Sequence, residues 1–340
     1  MISRVADHCF WFGRYLDRAE STARLLQATR SLVFDADIPV TQCWQPLVIV
    51  SGDLPVFVER LGSDQTGNGE VVQHYMTWDL DSQVSLRRSV QAARESARNI
   101  RDVLSIDAWE EINELHLWLG SSEAETLYRE NREQFFRKVR RATQLVLGLI
   151  RSTMLHDTPM SFLWLGAMLE RAGQTARILD MHHHTMIEEG VREGVRDGAP
   201  GGIVEVALWL SLLKACSGQE AFLKRHQGRV SARAVVSFLL FERQFPRSLR
   251  YTLASSRKLL GDIWPPQAET GPPRDSYARL VALEAWLDRR AMAFAPEEIH
   301  QLLTHVVDET ALTCAAIGKE IQGPPRPVQS QSQSQSAPAQ

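Results

Sequence analysis

The sequence predicts an all-α protein, a multi-helix bundle of long helices that is divided into two pseudo-symmetric halves. Three observations favour this class. Apolar residues recur at the three- and four-residue spacing of an amphipathic helix in almost every segment. No turn of the Asn-Gly type separates two alternating runs, so hairpins are not indicated. A long segment near the N-terminus recurs in the middle of the chain, which indicates two copies of one helical unit.

Proline and glycine suggest where the individual helices begin and end. Prolines stand at four predicted helix starts, Pro39, Pro159, Pro246 and Pro296. Glycines stand at three predicted ends, Gly120, Gly261 and Gly323. Three polar stretches rich in glycine or proline predict loops, at 62–69, 194–202 and 262–275. We therefore predict helices over residues 3–34, 39–51, 70–78, 83–104, 107–120, 122–155, 160–189, 203–217, 231–241, 246–260, 275–293 and 296–321.

The composition is that of an ordinary globular protein. The 340 residues include 38 basic and 41 acidic side chains, a net charge of -3, so no general attraction to nucleic acid is indicated. The chain has no apolar leader and no apolar run of about 18 residues, so we expect a cytoplasmic protein without a membrane span. The four cysteines are isolated in the sequence, which predicts neither a disulfide framework nor a zinc cage.

The repeat is clearest in one helix. Residues 11–26 read WFGRYLDRAESTARLL and residues 164–179 read WLGAMLERAGQTARIL, with nine of sixteen positions identical at an offset of 153. A weaker echo aligns Ser85-Leu86-Arg87 with residues 248–250, at an offset of 163. The repeat predicts a first unit over 1–157, a second over 158–322 that is fused to it, and a disordered Gln/Ser-rich tail over 323–340. Thr158 followed by Pro159 resembles the start of the second unit's leading helix.

A helical wheel divides the repeated residues into an apolar stripe and charged flanks. In the first copy one stripe is apolar, with large residues at its ends and alanines in its middle that permit close helix approach: Phe12, Leu16, Ala19, Ala23 and Leu26. The adjacent Asp17 and Arg18 point about 100° apart, so they do not face each other. We expect each to find its partner on another helix, and the same holds for Glu170 and Arg171.

Two interpretations of these charges remain open. In the first, ion pairs between helices fix the register of the bundle, because a buried charge needs a partner. In the second, both copies line a polar pocket near the pseudo-twofold axis. Arginines could then bind a carboxylate or phosphate, and the acids would be acid or base candidates. The candidate ligand-binding residues are Arg18, Arg171, Arg24, Arg177, Trp11 and Trp164. The candidate catalytic residues are Asp17 and Glu170.

The other motifs in the sequence give little indication of a metal site or of a catalytic activity. Three successive histidines, 182–184, cannot chelate one ion from a regular helix because neighbouring side chains diverge. Glu297 and His300 have the Glu-x-x-His spacing of di-iron bundles, but no second copy accompanies them. HExxH, GxSxG and GxxxxGK[ST] motifs are absent from the sequence. We therefore predict no metal site and no cofactor, and we do not expect the chain itself to be the ATP-using enzyme.

Residues 1–24 resemble the opening of the bacterial Alpha-E domain family, and residues 93–101, 109–113 and 245–250 resemble later parts of it. The resemblance extends from residue 1 to about 320. It implies an alpha-helical domain that carries a Glu-Arg motif, in cytoplasmic bacterial proteins. It also implies an association with ATP-grasp-like and transglutaminase-like proteins. In this sequence the second copy has the motif as Glu170-Arg171, whereas the first has Asp17 where the family usually has glutamate.

Three hypotheses of function follow. The first is a helical accessory protein of an ATP-grasp- and transglutaminase-associated system that forms or modifies peptide or amide bonds, with a polar acid–arginine site between the halves. The second is an enzyme that acts on amide or peptide bonds through Glu170 and Arg171. The third is a purely structural interaction scaffold. A cavity beside the arginines would favour a ligand, and an enzyme would further need an acid with a raised pKa beside it.

Overall fold

A computed structural model describes residues 3–35, 39–188, 203–265, 274–292 and 298–323. The described residues contain α-helices, a 3₁₀ turn at Ser63–Gln65 and no β-strand, which confirms the predicted all-α class. The helices are α1 Ser3–Asp35, α2 Val40–Ser51, α3 Leu54–Leu61, α4 Gly69–Trp78, α5 Leu86–Asn99, α6 Ile106–Leu119, α7 Ser122–Glu130, α8 Arg132–Thr153, α9 Thr158–Glu188, α10 Ile203–Ala215, α11 Gln219–Arg225, α12 Ala232–Phe241, α13 Leu249–Ile263, α14 Asp275–Met292 and α15 Ile299–Gln322.

The two long repeated helices, α1 and α9, form the centre of the molecule. They run parallel and in register, since residues near position 10 to 18 of α1 meet residues near 163 to 171 of α9 in the same order. The backbones come closest at two glycines. A Cβ placed on Gly13 would lie 1.9 Å from the carbonyl oxygen of Leu163, and one on Gly166 would lie 2.0 Å from that of Phe10. The wheel assigned this close approach to the alanines, whereas the structure places it at the glycines.

The helices around this pair are arranged in the same way on α1 as on α9. Helix α1 packs against α5, α8 and α10, while α9 packs against α13, α15 and α2. Helices α2 and α10 are therefore exchanged, because each packs on the leading helix of the other half. Ser211 of α10, for example, donates a hydrogen bond to the carbonyl oxygen of Ala28 in α1. Such reciprocal packing is what an internal duplication would produce, although the duplication and its boundaries stay predictions.

Two equivalent serine caps hold the loops beside the central pair. The Ser85 hydroxyl accepts a hydrogen bond from the backbone N–H of Arg88 at 3.1 Å and donates to the carbonyl oxygen of Asp79. The Ser248 hydroxyl accepts from the N–H of Tyr251 at 3.1 Å and donates to the carbonyl oxygen of Glu242. Each cap satisfies an otherwise unpaired N–H at a helix start. The residues just before each serine are thereby fixed against α1 and α9.

Local structure departs from the predictions in several places. Helix α5 ends at Asn99 rather than at residue 104, and Gly261 lies inside α13 rather than at its end. The short helices α3 and α11 lie where no helix was predicted. The predicted helix over 122–155 is wrong as one element, because the Asn131 side chain accepts from the N–H of Gln134 and starts a new helix, α8. At the start of α9 the capping side chain is Asp157 rather than Thr158, since Asp157 accepts from the N–H of Met160.

Several predicted features cannot be compared with the structure. The predicted loop over 194–202, most of the loop over 262–275, Glu297 and the tail beyond residue 323 lie outside the described residues. The side chains of the three histidines at 182–184 lie outside them as well. Within the described residues, no helix is long and apolar enough to cross a lipid bilayer.

Candidate functional site

Glu170 lies at the junction of α1 and α9 and is almost fully buried, with a side-chain exposure of 2%. One oxygen accepts from Arg18 Nε at 2.7 Å and from Gln174 Nε2 at 3.1 Å. The other accepts from Arg18 Nη2 at 2.9 Å and from Arg14 Nε at 3.0 Å. A carboxylate offers about four acceptor positions, so the hydrogen-bonding capacity of Glu170 is used in full. The expected partner for Arg18 on another helix is thereby found.

These contacts keep Glu170 ionised. Burial alone would raise its pKa, but the charges of Arg18 and Arg14 and the hydrogen bonds outweigh burial and lower the pKa well below its ordinary value. A general acid or base that works near neutral pH needs a pKa close to 7. Glu170 is thus suited to hold arginines in place and is not suited to exchange a proton with a substrate.

The reciprocal pair joins Asp17 of α1 to Arg171 of α9. Arg171 donates to Asp17 Oδ1 from Nε at 3.0 Å and from Nη2 at 2.7 Å. Asp17 is fully buried, and its Oδ2 has no hydrogen-bond partner in the described structure. The shorter aspartate therefore binds its arginine through one oxygen, whereas Glu170 binds Arg18 through both. Each acid of the repeat is held by the arginine of the other copy, whereas the wheel predicted a partner on another helix without identifying it.

A second set of buried charges lies next to Asp17. Glu20 contacts Arg24 and Arg247, and it accepts a hydrogen bond from Gln144 Nε2 at 3.0 Å. Arg24 is 2% exposed, and two of its nitrogens, Nε and Nη1, have no partner in the described structure. Burial, reinforced by the charges of Arg247 and other arginines, lowers the pKa of Arg24 to about 8. This cluster is closed to solvent and serves packing.

On the opposite side of the α1–α9 pair, a cavity of about 200 Å³ lies between α9 and the helices α1, α2 and α4. Its polar wall contains Arg18, Thr22, Gln83, Glu170 and Gln174, together with Arg177. Its apolar wall is formed by side chains from α1, α2, α4, α9 and the residue before Ser85: Leu25, Leu47, Val50, Met76, Val84 and Ile178. A concave site of this kind, mostly apolar with a few convergent polar groups, is typical of small-ligand binding.

Arg177 is the unusual member of this wall. Within the described residues it donates no hydrogen bond and lies at ion-pair distance from no carboxylate, although every other acid–arginine position of the repeat is paired. Its pKa is lowered by burial first, while the charge of Glu170 acts in the opposite direction and the charges of Arg18 and Arg14 lower it further. A cation with this environment is stabilised by an added anion.

The structure brings together only part of the predicted site. Arg18, Arg177 and Glu170 line the cavity, but Asp17, Arg171 and Arg24 lie in the closed clusters on the other side. The two tryptophans do not line it either. Trp11 stacks on Tyr15, with ring centroids 5.4 Å apart, and carries the Arg14 guanidinium 4.7 Å from its ring. Trp164 carries Arg151 at 5.7 Å.

Sequence reasoning missed several contributors, although some left a signal. Arg14 precedes Arg18 by four residues, and Gln174 follows Glu170 by four, so each pair shares a helix face. Glu20 and Arg247 gave no comparable signal, because they meet across distant parts of the chain.

Metal-ligating side chains and buried cysteines are the other groups of chemical interest in the described part of the chain. No three His, Cys, Asp or Glu side chains lie together in that part of the chain in a way that could hold an ion. Burial raises the pKa of both Cys9 and Cys216 to about 12. A thiol reacts as its thiolate, so these two are chemically inert near neutral pH.

Together these features define a class, an all-helical protein built on two parallel helices that exchange buried acid–arginine pairs. Residues 1–322 match the Alpha-E family, described as a predicted alpha-helical domain with a conserved ER motif, and the chain belongs to this family. The dipeptide Glu170-Arg171 at the centre of the fold agrees with that description.

The chain is also similar to mycobacterial proteins. It is 28% identical over 328 residues to an uncharacterised protein of Mycobacterium bovis and to uncharacterised proteins from two strains of Mycobacterium tuberculosis. Each comparison covers 88% of this chain and 33% of the relative, so the chain spans about a third of the length of these relatives. No solved structure matches it.

Proposed function

We propose that the chain is a non-catalytic helical component that binds a small anionic ligand between its two halves. One observation carries this proposal, the unpaired Arg177 that lines a cavity shared by both halves. An arginine in such a place gains most from a planar oxyanion, because its fork of N–H donors matches carboxylate and phosphate.

The catalytic alternative through Glu170 and Arg171 is less well supported. Glu170 lines the cavity, but its pKa is lowered rather than raised and its acceptor positions are occupied. Arg171 lies on the other side of the helix pair and binds Asp17. Neither residue offers a free group to a substrate.

The scaffold remains the second candidate function. It is favoured by the closed cluster around Asp17 and Arg171, because ion pairs that join α1 to α9 fix the register of the bundle whether or not a ligand is present.

We further propose that this binding serves a peptide- or amide-bond-forming or -modifying system in the bacterial cytoplasm. The partners would be ATP-grasp-like and transglutaminase-like proteins, as the resemblance to the Alpha-E family implies. In this arrangement the helical chain holds an acidic substrate or product while the ATP-grasp-like partner supplies the chemistry.

The partnership is tested by purifying the chain together with an ATP-grasp-like protein from the same organism. ATP consumption is measured with and without the chain, across a panel of amino-acid acceptors. A rise in turnover with particular acceptors supports the accessory role, and an Arg177→Met variant should reduce that rise. Unchanged ATP consumption throughout the panel would remove the accessory role and leave the scaffold.

A further inference from the structure

Arg24 and Arg177 occupy the same position of the repeat, 153 residues apart, yet they differ in whether a carboxylate of the chain pairs with them. Arg24 contacts the carboxylate of Glu20, which precedes it by one helical turn. The residue one turn before Arg177 is Gly173. A Cβ placed on Gly173 would lie 3.4 Å from Arg177 Nη1, an ordinary contact distance. The chain thus carries a carboxylate for one of the two arginines and none for the other.

A second replacement opens the same space. Arg247, just before the Ser248 cap, reaches Glu20 and fills the region beside Arg24. The corresponding residue before the Ser85 cap is Val84, which lines the cavity. Around Arg177, Gly173 and Val84 therefore stand where Glu20 and Arg247 stand around Arg24. Val84 lines the cavity itself, and Gly173 lies beside Arg177, which also lines it.

The charges around the cavity favour an anion in this space. Arg18 and Arg177 line the cavity and Arg14 lies next to them, so they carry three positive charges, and in the described part of the chain Glu170 is the carboxylate that acts on them. The half-buried Cys314 thiol is also near, and desolvation raises its pKa, so it stays neutral. One more carboxylate would still leave the group cationic.

The apolar wall limits what kind of anion fits. Leu25, Leu47, Met76 and Ile178 line the side of the cavity away from the arginines. A fully hydrated inorganic ion gains nothing from these side chains, whereas a short hydrocarbon body does. The cavity thus combines a cationic end with an apolar end.

From this arrangement we infer that the cavity binds one small carboxylate with a short apolar body, and that its carboxylate takes at Arg177 the place that Glu20 takes at Arg24. This inference rests on the proposed function and specifies the ligand. Each chain has one such site, because the equivalent space in the other copy is filled by the chain's own Glu20 and Arg247.

Isothermal titration calorimetry of the full chain tests the ligand class. The probes are acetate, butyrate and hexanoate, with butyramide as the uncharged match to butyrate and inorganic phosphate as the hydrated anion. We expect one site per chain and an affinity that rises about fourfold for each added methylene until the cavity is filled. Equal binding of butyramide, binding of phosphate alone, or no binding of any carboxylate would each overturn the inference.

Gly173→Glu tests the location. It should supply the missing carboxylate from within the helix and reduce butyrate affinity at least tenfold while circular dichroism stays unchanged. The matched control is Gly148→Glu, because Gly148 is an exposed helical glycine with nothing within 4 Å of its Cβ. If Gly173→Glu fails to fold, Arg177→Met gives the same test. Retained affinity in the folded variant would contradict the assignment.

The carboxylate site and the accessory role can be refuted independently of each other. Calorimetry uses this chain alone, so a negative result removes the carboxylate site and leaves the accessory role to the ATP assay. A positive calorimetric result with unchanged ATP consumption would keep the site and remove the partnership.

Discussion

Replacement of Gly13 by alanine tests how closely α1 and α9 must pack. The added Cβ would lie 1.9 Å from the carbonyl oxygen of Leu163, and carbon and oxygen atoms ordinarily come no closer than about 3.3 Å. The helices would have to separate locally by about 1.4 Å. Both atoms belong to rigid backbone or are attached to it, so no side-chain rotation relieves the clash.

The magnitude follows from what the separation disrupts. A radial gap of about 1 Å already forfeits up to half of a dispersion contact, and the ion pairs of Glu170 and Arg171 cross the same interface. We expect a loss of at least about 3 kcal/mol in the free energy of unfolding, at the upper end of the range for overpacked cores. Gly166→Ala should cost a similar amount. The double variant should cost less than the sum, because one separation relieves both clashes.

Urea denaturation followed by circular dichroism measures these values, with constant m-values as the check on two-state unfolding. Gly148→Ala is the matched control, and we expect it to be neutral or to stabilise by about 0.5–1 kcal/mol. A Gly13→Ala protein within about 0.5 kcal/mol of the wild type would refute the close packing of the two helices.

Two further predictions concern the buried charges. Glu170→Gln should cost about 3–5 kcal/mol at pH 7 because it removes the buried carboxylate that pairs with two partly buried arginines, Arg14 and Arg18. The folded pKa of Glu170 is lowered, so its contribution is complete above the ordinary glutamate pKa of about 4.3 and is lost below it. The difference between variant and wild type in urea midpoint should therefore shrink from pH 7 to pH 3, and a constant difference would contradict the ion pairing. Arg171→Met should cost about 3–5 kcal/mol because the fully buried Asp17 loses its partner. Arg24→Met should cost clearly less in the same assay, since the cluster keeps an arginine for each of its acids, and equal losses would count against this charge balance.

The sequence was sufficient for the architecture where the helices are long. The 3.6-residue periodicity of the repeated segments extends over many turns, so α1 and α9 were predicted to within a few residues. Short elements give too few turns for a period to appear. Helices α3 and α11 contain eight and seven residues, and both were missed. The break before α8 depends on a single capping side chain, which periodicity does not detect.

The candidate site was predictable in part for the same kind of reason. The 100° between adjacent helical positions separates Asp17 from Arg18, which was enough to expect partners on another helix. Which arginine faces a cavity depends instead on Gly173 and Val84, whose side chains are smaller than those of their counterparts Glu20 and Arg247. Their effect is the space they leave, and that space exists only once α1, α2 and α9 have packed.

The divergence between Arg24 and Arg177 affects how mutational data on this protein should be interpreted. Both end an identical Thr-Ala-Arg sequence, so an alignment of the two copies treats them as one position. Their environments separate them, because one is enclosed with Glu20 and the other faces a cavity. The effect of a substitution at Arg24 should be measured as a change in folding stability. The effect of a substitution at Arg177 should be measured as a change in ligand binding. Averaging the two copies into one motif would combine a stability determinant with a ligand contact and hide both.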